Sequence, residues 1–242
     1  MNKVKVVSGY IPLPDIINVS QEKFQELGVA LASAIPCNLS FYDVPDPERR
    51  FGTWMATWVQ KQPWADEVTC SDPDPDPARF AGDRFKTKLW SNYVMHEKSV
   101  WVGKASFRDQ TSDVFVWIDY GVLKQANMTP ETVTRFIKEL EAVELPDAVI
   151  APGIRPTADE PDPAMSWDRF CGSVVIVPRK WVDPLACAML RDAIHTTTLT
   201  KKVTIESNTL ARVERQQQIP FHWYQSGWGA SMFDSFLGRF PK

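Results

Sequence analysis

Val114-Phe115-Val116-Trp117-Ile118 is an unbroken apolar run of strand length, and it stops abruptly at Asp119-Tyr120-Gly121. Continuous apolar runs of this size mark strands buried on both faces, the usual condition in a parallel sheet covered by helices. The residues that follow supply such a helix. Thr129 stands at the N-cap position, Pro130 at the first helical position and Glu131 in the first turn, with Val133, Phe136, Ile137 and Leu140 on one face.

Towards the N-terminus, Val4-Lys5-Val6-Val7-Ser8 leads into Gly9 as a strand entering a loop. Ser20 caps a segment in which Phe24, Leu27, Leu31 and Ala34 recur at helical spacing. A second strand, Asn38-Leu39-Ser40-Phe41-Tyr42, is closed by Val44-Pro45-Asp46-Pro47. This β-α-β opening predicts parallel strands joined by a crossover helix. Residues 49–81 show no clear periodicity, and Ser71-Asp72-Pro73-Asp74-Pro75-Asp76-Pro77 reads as an exposed, extended loop, since alternating prolines suit neither helix interiors nor central strands. Lys86 to Val94 reads as helix. Leu145 to Met165, rich in proline and acid, reads as loop. Beyond it, Gly172-Ser173-Val174-Val175-Ile176-Val177-Pro178 is a strand, and Asp183-Pro184 opens a helix through Leu185, Met189, Leu190 and Ile194. From Thr204 onward the chain offers one short helix and the aromatic segment Phe221-His222-Trp223-Tyr224, followed by Trp228 and Phe233. The expectation is one α/β domain over residues 1–242 with a mainly parallel sheet flanked by helices and exposed loops near 66–83 and 145–165.

Composition narrows the function classes. With 44% hydrophobic and 24% charged residues in 242, the chain has an ordinary globular balance. It contains no run of about 20 apolar residues, and its polar start lacks the apolar region of a secretory signal, so a cytoplasmic protein is expected. Cys37, Cys70, Cys171 and Cys187 form no CxxC pair and are expected as buried free thiols. The net charge of -3 argues against a general nucleic-acid coat. That charge is segregated, however: residues 66–83 carry -5 and residues 141–168 carry -6, leaving +8 elsewhere, including Arg49, Arg50, Lys86, Lys88, Lys201 and Lys202. An anionic ligand is therefore compatible with the folded core.

No GxGxxG, GxxxxGK[ST], GxSxG or HExxH pattern is present, which excludes the usual dinucleotide, P-loop, α/β-hydrolase and zinc-protease sites. The ten tryptophans read mainly as core. In parallel sheets ligands sit at the carboxyl ends of strands, so Asp119 is a candidate carboxylate for a divalent ion on a phosphorylated ligand, or simply a turn residue before Gly121. Trp167-Asp168-Arg169-Phe170-Cys171-Gly172-Ser173 is a place where a substrate can approach backbone closely, or an ordinary strand entry. Glu206, in Thr204-Ile205-Glu206-Ser207-Asn208, is either a carboxylate complementing its helix dipole or a general base.

Taken in order, Lys98-Ser99-Val100-Trp101, Val116-Trp117-Ile118-Asp119-Tyr120-Gly121, Phe170-Cys171-Gly172-Ser173, Thr204-Ile205-Glu206-Ser207-Asn208 and Phe221-His222-Trp223-Tyr224 resemble the motifs of the bacterial HtrL/YibB-like glycosyltransferases. The resemblance runs from near Phe85 to near Phe236. It implies a GT-A-like fold and transfer of a sugar from a nucleotide-sugar donor to an acceptor hydroxyl, with Mn²⁺ or Mg²⁺ as cofactor. The resemblance suggests a saccharide as acceptor, and the basic residues outside the two acidic stretches leave room instead for a hydroxylated base in DNA. By the same resemblance Asp119 stands at the D-x-D position as metal-linked carboxylate, with Trp117 in place of the first acid. Lys98, Trp117, Gly172 and Asn208 join Asp119 in the donor site, and Glu206 is the base. Where the family carries a histidine after the F-H-W-Y stretch, this chain has Trp228. These departures keep a second reading open, a sugar- or nucleotide-binding protein of the same fold without turnover.

Overall fold

The structure is a computed structural model that describes residues 1–10, 21–43, 53–73, 89–156, 165–166, 169–237 and 239. Its strands are β1 (Val4–Tyr10), β2 (Asn38–Asp43), β3 (Thr69–Cys70), β4 (Asp72–Pro73), β5 (Val114–Ile118), β6 (Val149–Gly153), β7 (Met165–Ser166), β8 (Val174–Pro178), β9 (Lys202–Val203) and β10 (Phe221–Gln225). Its helices are α1 (Gln21–Ala34), α2 (Trp54–Val59), α3 (Leu89–Met95), α4 (Glu97–Arg108), α5 (Pro130–Ala142), α6 (Arg179–Thr200), α7 (Glu206–Arg215) and α8 (Ser231–Asp234).

Six strands form one sheet in the order β10-β6-β8-β5-β1-β2. The β1–β2, β1–β5 and β6–β10 pairs are parallel, and β8 runs antiparallel to both β5 and β6. The expected mainly parallel α/β sheet is thus present, with one reversed strand near its centre.

Alternation along β5 divides the interior. Val114, Val116 and Ile118 join Val6, Leu31, Phe136, Ile137, Leu140 and Phe233 in the core beneath α1, α5 and α8. Phe115 and Trp117 point the other way, joining Trp101, Val102, Leu185, Met189 and Leu210 beneath α4, α6 and α7. A smaller cluster of Met55, Val59, Tyr93 and Val203 ties α2 and α3 to β9. The start of α5 forms as predicted, with the Thr129 hydroxyl accepting from Thr132 N at 3.2 Å.

Several expectations are corrected. β1 continues through Gly9 to Tyr10, because Trp101 packs so closely that a Cβ on Gly9 would lie 2.3 Å from its ring. The predicted 145–165 loop contains β6, all five of whose residues are buried. Pro152 is tolerated there because pairing with β8 is confined to Ile150↔Ile176. The aromatic segment after Pro220 is β10, paired in parallel with β6. α6 begins at Arg179 and holds Pro184 inside it. Its start is held by Arg179 N donating to Asp113 O at 2.8 Å and Arg179 Nε donating to Ser112 O at 2.7 Å. The first residues of the Asp-Pro repeat are not free: Ser71 is buried, and Asp72–Pro73 pair with Met165–Ser166. Of the four cysteines, all free, only Cys171 is buried, and Cys187 is exposed.

The Ser20 cap, the Val44–Pro47 turn, Arg49, Arg50, residues 74–88 with Lys86 and Lys88, and Trp167 and Asp168 lie outside the described residues. Among the described residues no helix is long and apolar enough to cross a membrane.

Candidate functional site

The reversal of β8 builds the site. Ile118 at the end of β5 pairs with Val174 at the start of β8, and Asp119 N donates to Ser173 O at 2.9 Å. The carboxyl end of one strand therefore meets the amino end of its neighbour, bringing Asp119 and Gly172 to one edge of the sheet. Lys98, in the first turn of α4, and Glu206, the first residue of α7, reach the same point.

The Lys98 ammonium stands at the centre. Its Nζ donates to Glu206 Oε1 at 2.6 Å and to Gly172 O at 3.0 Å, and it forms an ion pair with Asp119 Oδ1 at 3.0 Å. Three oxygens thus surround a group that has three donors. Burial alone would lower the lysine's pKa, but the Asp119 and Glu206 carboxylates outweigh it and hold the group well above its ordinary value. Behind the ammonium lies a small void of about 40 Å³ lined mainly by apolar side chains, including Val102, Val177, Leu185, Met189 and Leu210, so neighbouring polar groups are sparse on that side.

Two neighbours shape this cluster. Trp117 Nε1 donates to Asp119 Oδ1 at 2.6 Å, while its ring stacks on Trp101 with centroids 5.6 Å apart. Gly172 has no side chain where one would collide: a Cβ there would lie 2.2 Å from Glu206 Oε1. The side chains grade inward from solvent, Asp119 at 29% exposure, Lys98 at 16% and Glu206 at 10%. Asp119 is thus the outermost charged group of the three.

Of the sequence-predicted residues, Lys98, Trp117, Asp119, Gly172 and Glu206 converge. Trp117, buried in the sheet, touches the site only through its indole N–H and the underside of Lys98. Asn208 does not join the ammonium's acceptors. It is buried and its Nδ2 donates to Met165 O at 2.7 Å, fastening α7 to β7.

Sequence reasoning missed the groups that hold Lys98 in place. His96, buried, pairs through Nε2 with Thr204 O at 3.0 Å, and Glu97 accepts from Trp54 N at 2.6 Å. Together they pin the start of α4 between α2 and the segment entering α7. Burial lowers the His96 pKa to about 4 and raises that of Glu97 to about 7. Arg169 was also missed. It is fully buried between the rings of Phe170 and Trp223, at 4.5 and 4.4 Å, and its Nη2 and Nε donate to Glu214 at 2.9 and 3.2 Å. Aromatic residues at 170 and 223 were its only local signal.

The donor set does not fit a divalent ion held by the protein. Oδ1 of Asp119 already accepts from Trp117 and is ion-paired with Lys98, whose Nζ occupies the position between Asp119 and Glu206. Among the described residues no three His, Cys, Asp or Glu side chains gather as a metal site, and Trp228 offers no ligand atom.

No protein-family model matches the chain, and no curated protein matches it in sequence. In structure it is similar to a glycosyltransferase involved in the glycosylation of the major capsid of PBCV-1. The TM-score is 0.50 at 13% identity, covering 92% of this chain and 81% of that one. This likeness shows the fold, a glycosyltransferase-like α/β architecture with a mostly parallel central sheet, and it does not reach as far as the HtrL/YibB-like family.

Proposed function

We propose that the chain is a glycosyltransferase that moves a sugar from a nucleotide-sugar donor to an acceptor hydroxyl. The observation that carries this reading is the convergence of Asp119, Lys98 and Glu206 at the end of β5, on a fold of glycosyltransferase type. In the reaction the acceptor oxygen forms a bond to the sugar's anomeric carbon as that carbon's bond to the diphosphate breaks. The nucleoside diphosphate leaves, and the acceptor proton passes to a carboxylate.

The order of exposure supports different tasks for the two carboxylates. Asp119 meets a ligand first and is the group we place at the reacting centre. Glu206, expected as the base, has its Oε1 bound to Lys98 and lies deepest, so we read it as a positioning residue that holds the ammonium. The acceptor is a saccharide or a hydroxylated base in DNA.

The test is a panel of UDP-, GDP- and TDP-sugars, followed by melting temperature and by release of nucleoside diphosphate. A cognate donor raises the melting temperature and is slowly consumed, and Asp119→Ala abolishes both effects. Binding without any release supports the reading as a non-catalytic binding protein. No binding by any donor refutes both.

A further inference from the structure

We infer that Lys98 is the resident cation of this site: its ammonium takes the place between Asp119 and Glu206 that a divalent ion would need, and the protein binds neither Mn²⁺ nor Mg²⁺ there. This deepens the glycosyltransferase reading and rests on it for its meaning, although its first measurement needs no nucleotide.

The argument is one of valence and geometry. A lysine ammonium has three donors and no acceptor, and here three oxygens lie within 3.0 Å of it, two accepting hydrogen bonds on α7 and before β8 and one in an ion pair after β5. Hard divalent cations take about six oxygens, several of them from water and a ligand's phosphates, so the protein's share is one or two carboxylates held open for the ion. Asp119 has spent Oδ1 on Trp117 and Lys98, and Glu206 has spent Oε1 on Lys98. The arrangement is built in rather than incidental. Gly172 lacks the Cβ that would displace Glu206, and Trp117, in the position of the missing acid, adds an indole donor to Asp119 and a ring 5.8 Å beneath the ammonium.

One consequence concerns the ligand. Two carboxylates and one ammonium leave a single negative charge, and the exposed part of Asp119 carries it outward. Such a surface accepts hydrogen bonds from hydroxyls and repels bare phosphate. The part of the donor that meets this triad is therefore the hydroxyl-bearing sugar that is transferred, and the diphosphate leaves from its other side.

The experiment titrates Mn²⁺ into the protein alone and reads the free ion by electron paramagnetic resonance. Wild-type protein leaves micromolar Mn²⁺ free. Lys98→Met, which leaves two carboxylates facing each other, binds it at least tenfold more tightly, and Lys98→Met/Asp119→Asn loses that gain. Wild-type protein that binds Mn²⁺, and releases it in Asp119→Asn, overturns the inference. So does a folded Lys98→Met protein that binds none, because the carboxylates then never framed a cation position. If Lys98→Met does not fold by circular dichroism, the comparison of wild type with Asp119→Asn decides alone. For any nucleotide-sugar that binds, affinity in EDTA and in Mn²⁺ agrees within twofold. A tenfold loss in EDTA overturns the inference and leaves the transferase reading standing, whereas failure of every donor refutes that reading and leaves the Mn²⁺ result intact.

Discussion

Gly172 and Glu206 are in mutual contact only because residue 172 has no side chain, since a Cβ there would come within 2.2 Å of Glu206 Oε1. Gly172→Ala should therefore push the carboxylate off Lys98 and leave the ammonium with Asp119 and the residue 172 carbonyl alone. A stability loss of about 1–3 kcal/mol is expected from overpacking, read as a lower urea midpoint with unchanged slope. An unchanged midpoint would show that Glu206 moves aside freely.

Trp117→Phe keeps a ring against Trp101 but removes the indole N–H that Asp119 Oδ1 accepts. Hydrogen bonds to charged groups contribute roughly 1.5–3 kcal/mol. A double-mutant cycle with Asp119→Asn should give a coupling energy of about 1 kcal/mol or more, measured by denaturation. Strict additivity would mean that the indole does not hold the carboxylate.

Arg169 and Glu214 form a pair with the guanidinium fully buried, and burial pushes the Glu214 pKa up against the pull of Arg169. Removing one partner of such a pair costs about 3–5 kcal/mol, because the other is left uncompensated. Arg169→Met should show this loss, and Arg169→Met/Glu214→Leu should recover most of it. Equal destabilisation of the single and double variants would contradict the explanation.

Neighbouring residues His96 and Glu97 give stability opposite dependences on pH. Folded His96 stays neutral down to about pH 4, whereas in the unfolded chain it takes up a proton near 6.5. Its contribution is whole above 6.5 and is lost as pH falls towards 4, by up to about 1.4 kcal/mol per pH unit. Folded Glu97 keeps its proton to about pH 7, against 4.5 when unfolded, so its contribution is whole below 4.5 and is lost as pH rises towards 7. Between 4.5 and 6.5 the two slopes oppose each other. Glu97→Gln, which still offers Trp54 N an acceptor, should leave only the rising slope. Urea midpoints across this range should then climb more steeply with pH than those of wild type, and parallel curves would refute the pairing.

What could be read from the sequence followed from how local each signal was. β5 and Asp119 were legible because five apolar residues end on an acid, and α5 because Thr129 and Pro130 mark its start. β6 was not, since Val149, Ile150 and Ala151 sit among prolines and acids and owe their burial to β8 and β10 on either side. Five of the six candidate site residues meet at one point. Their order along the chain could name them, but it could not reveal that an ammonium sits between the two carboxylates. That fact depends on β8 running backwards, and strand direction leaves no mark in the composition of Val174–Pro178. The buried role of Arg169 was not legible because its partner Glu214 lies 45 residues away.

The same separation has a kinetic meaning at the triad. Lys98 and Glu206 are 108 residues apart, so at ribosomal rates of about 5–20 residues per second the lysine waits roughly 5–20 s for its counterion to be made. Until then, docking α4 on the sheet would bury a cation with only part of its compensation. The face covered by α1 and α5 waits as well, because Phe136 is closed over by the rings of Phe233 and Phe236 from near the end of the sequence. Both sides of the sheet are thus expected to consolidate late in synthesis, and binding competence reports that the chain has been made past Glu206.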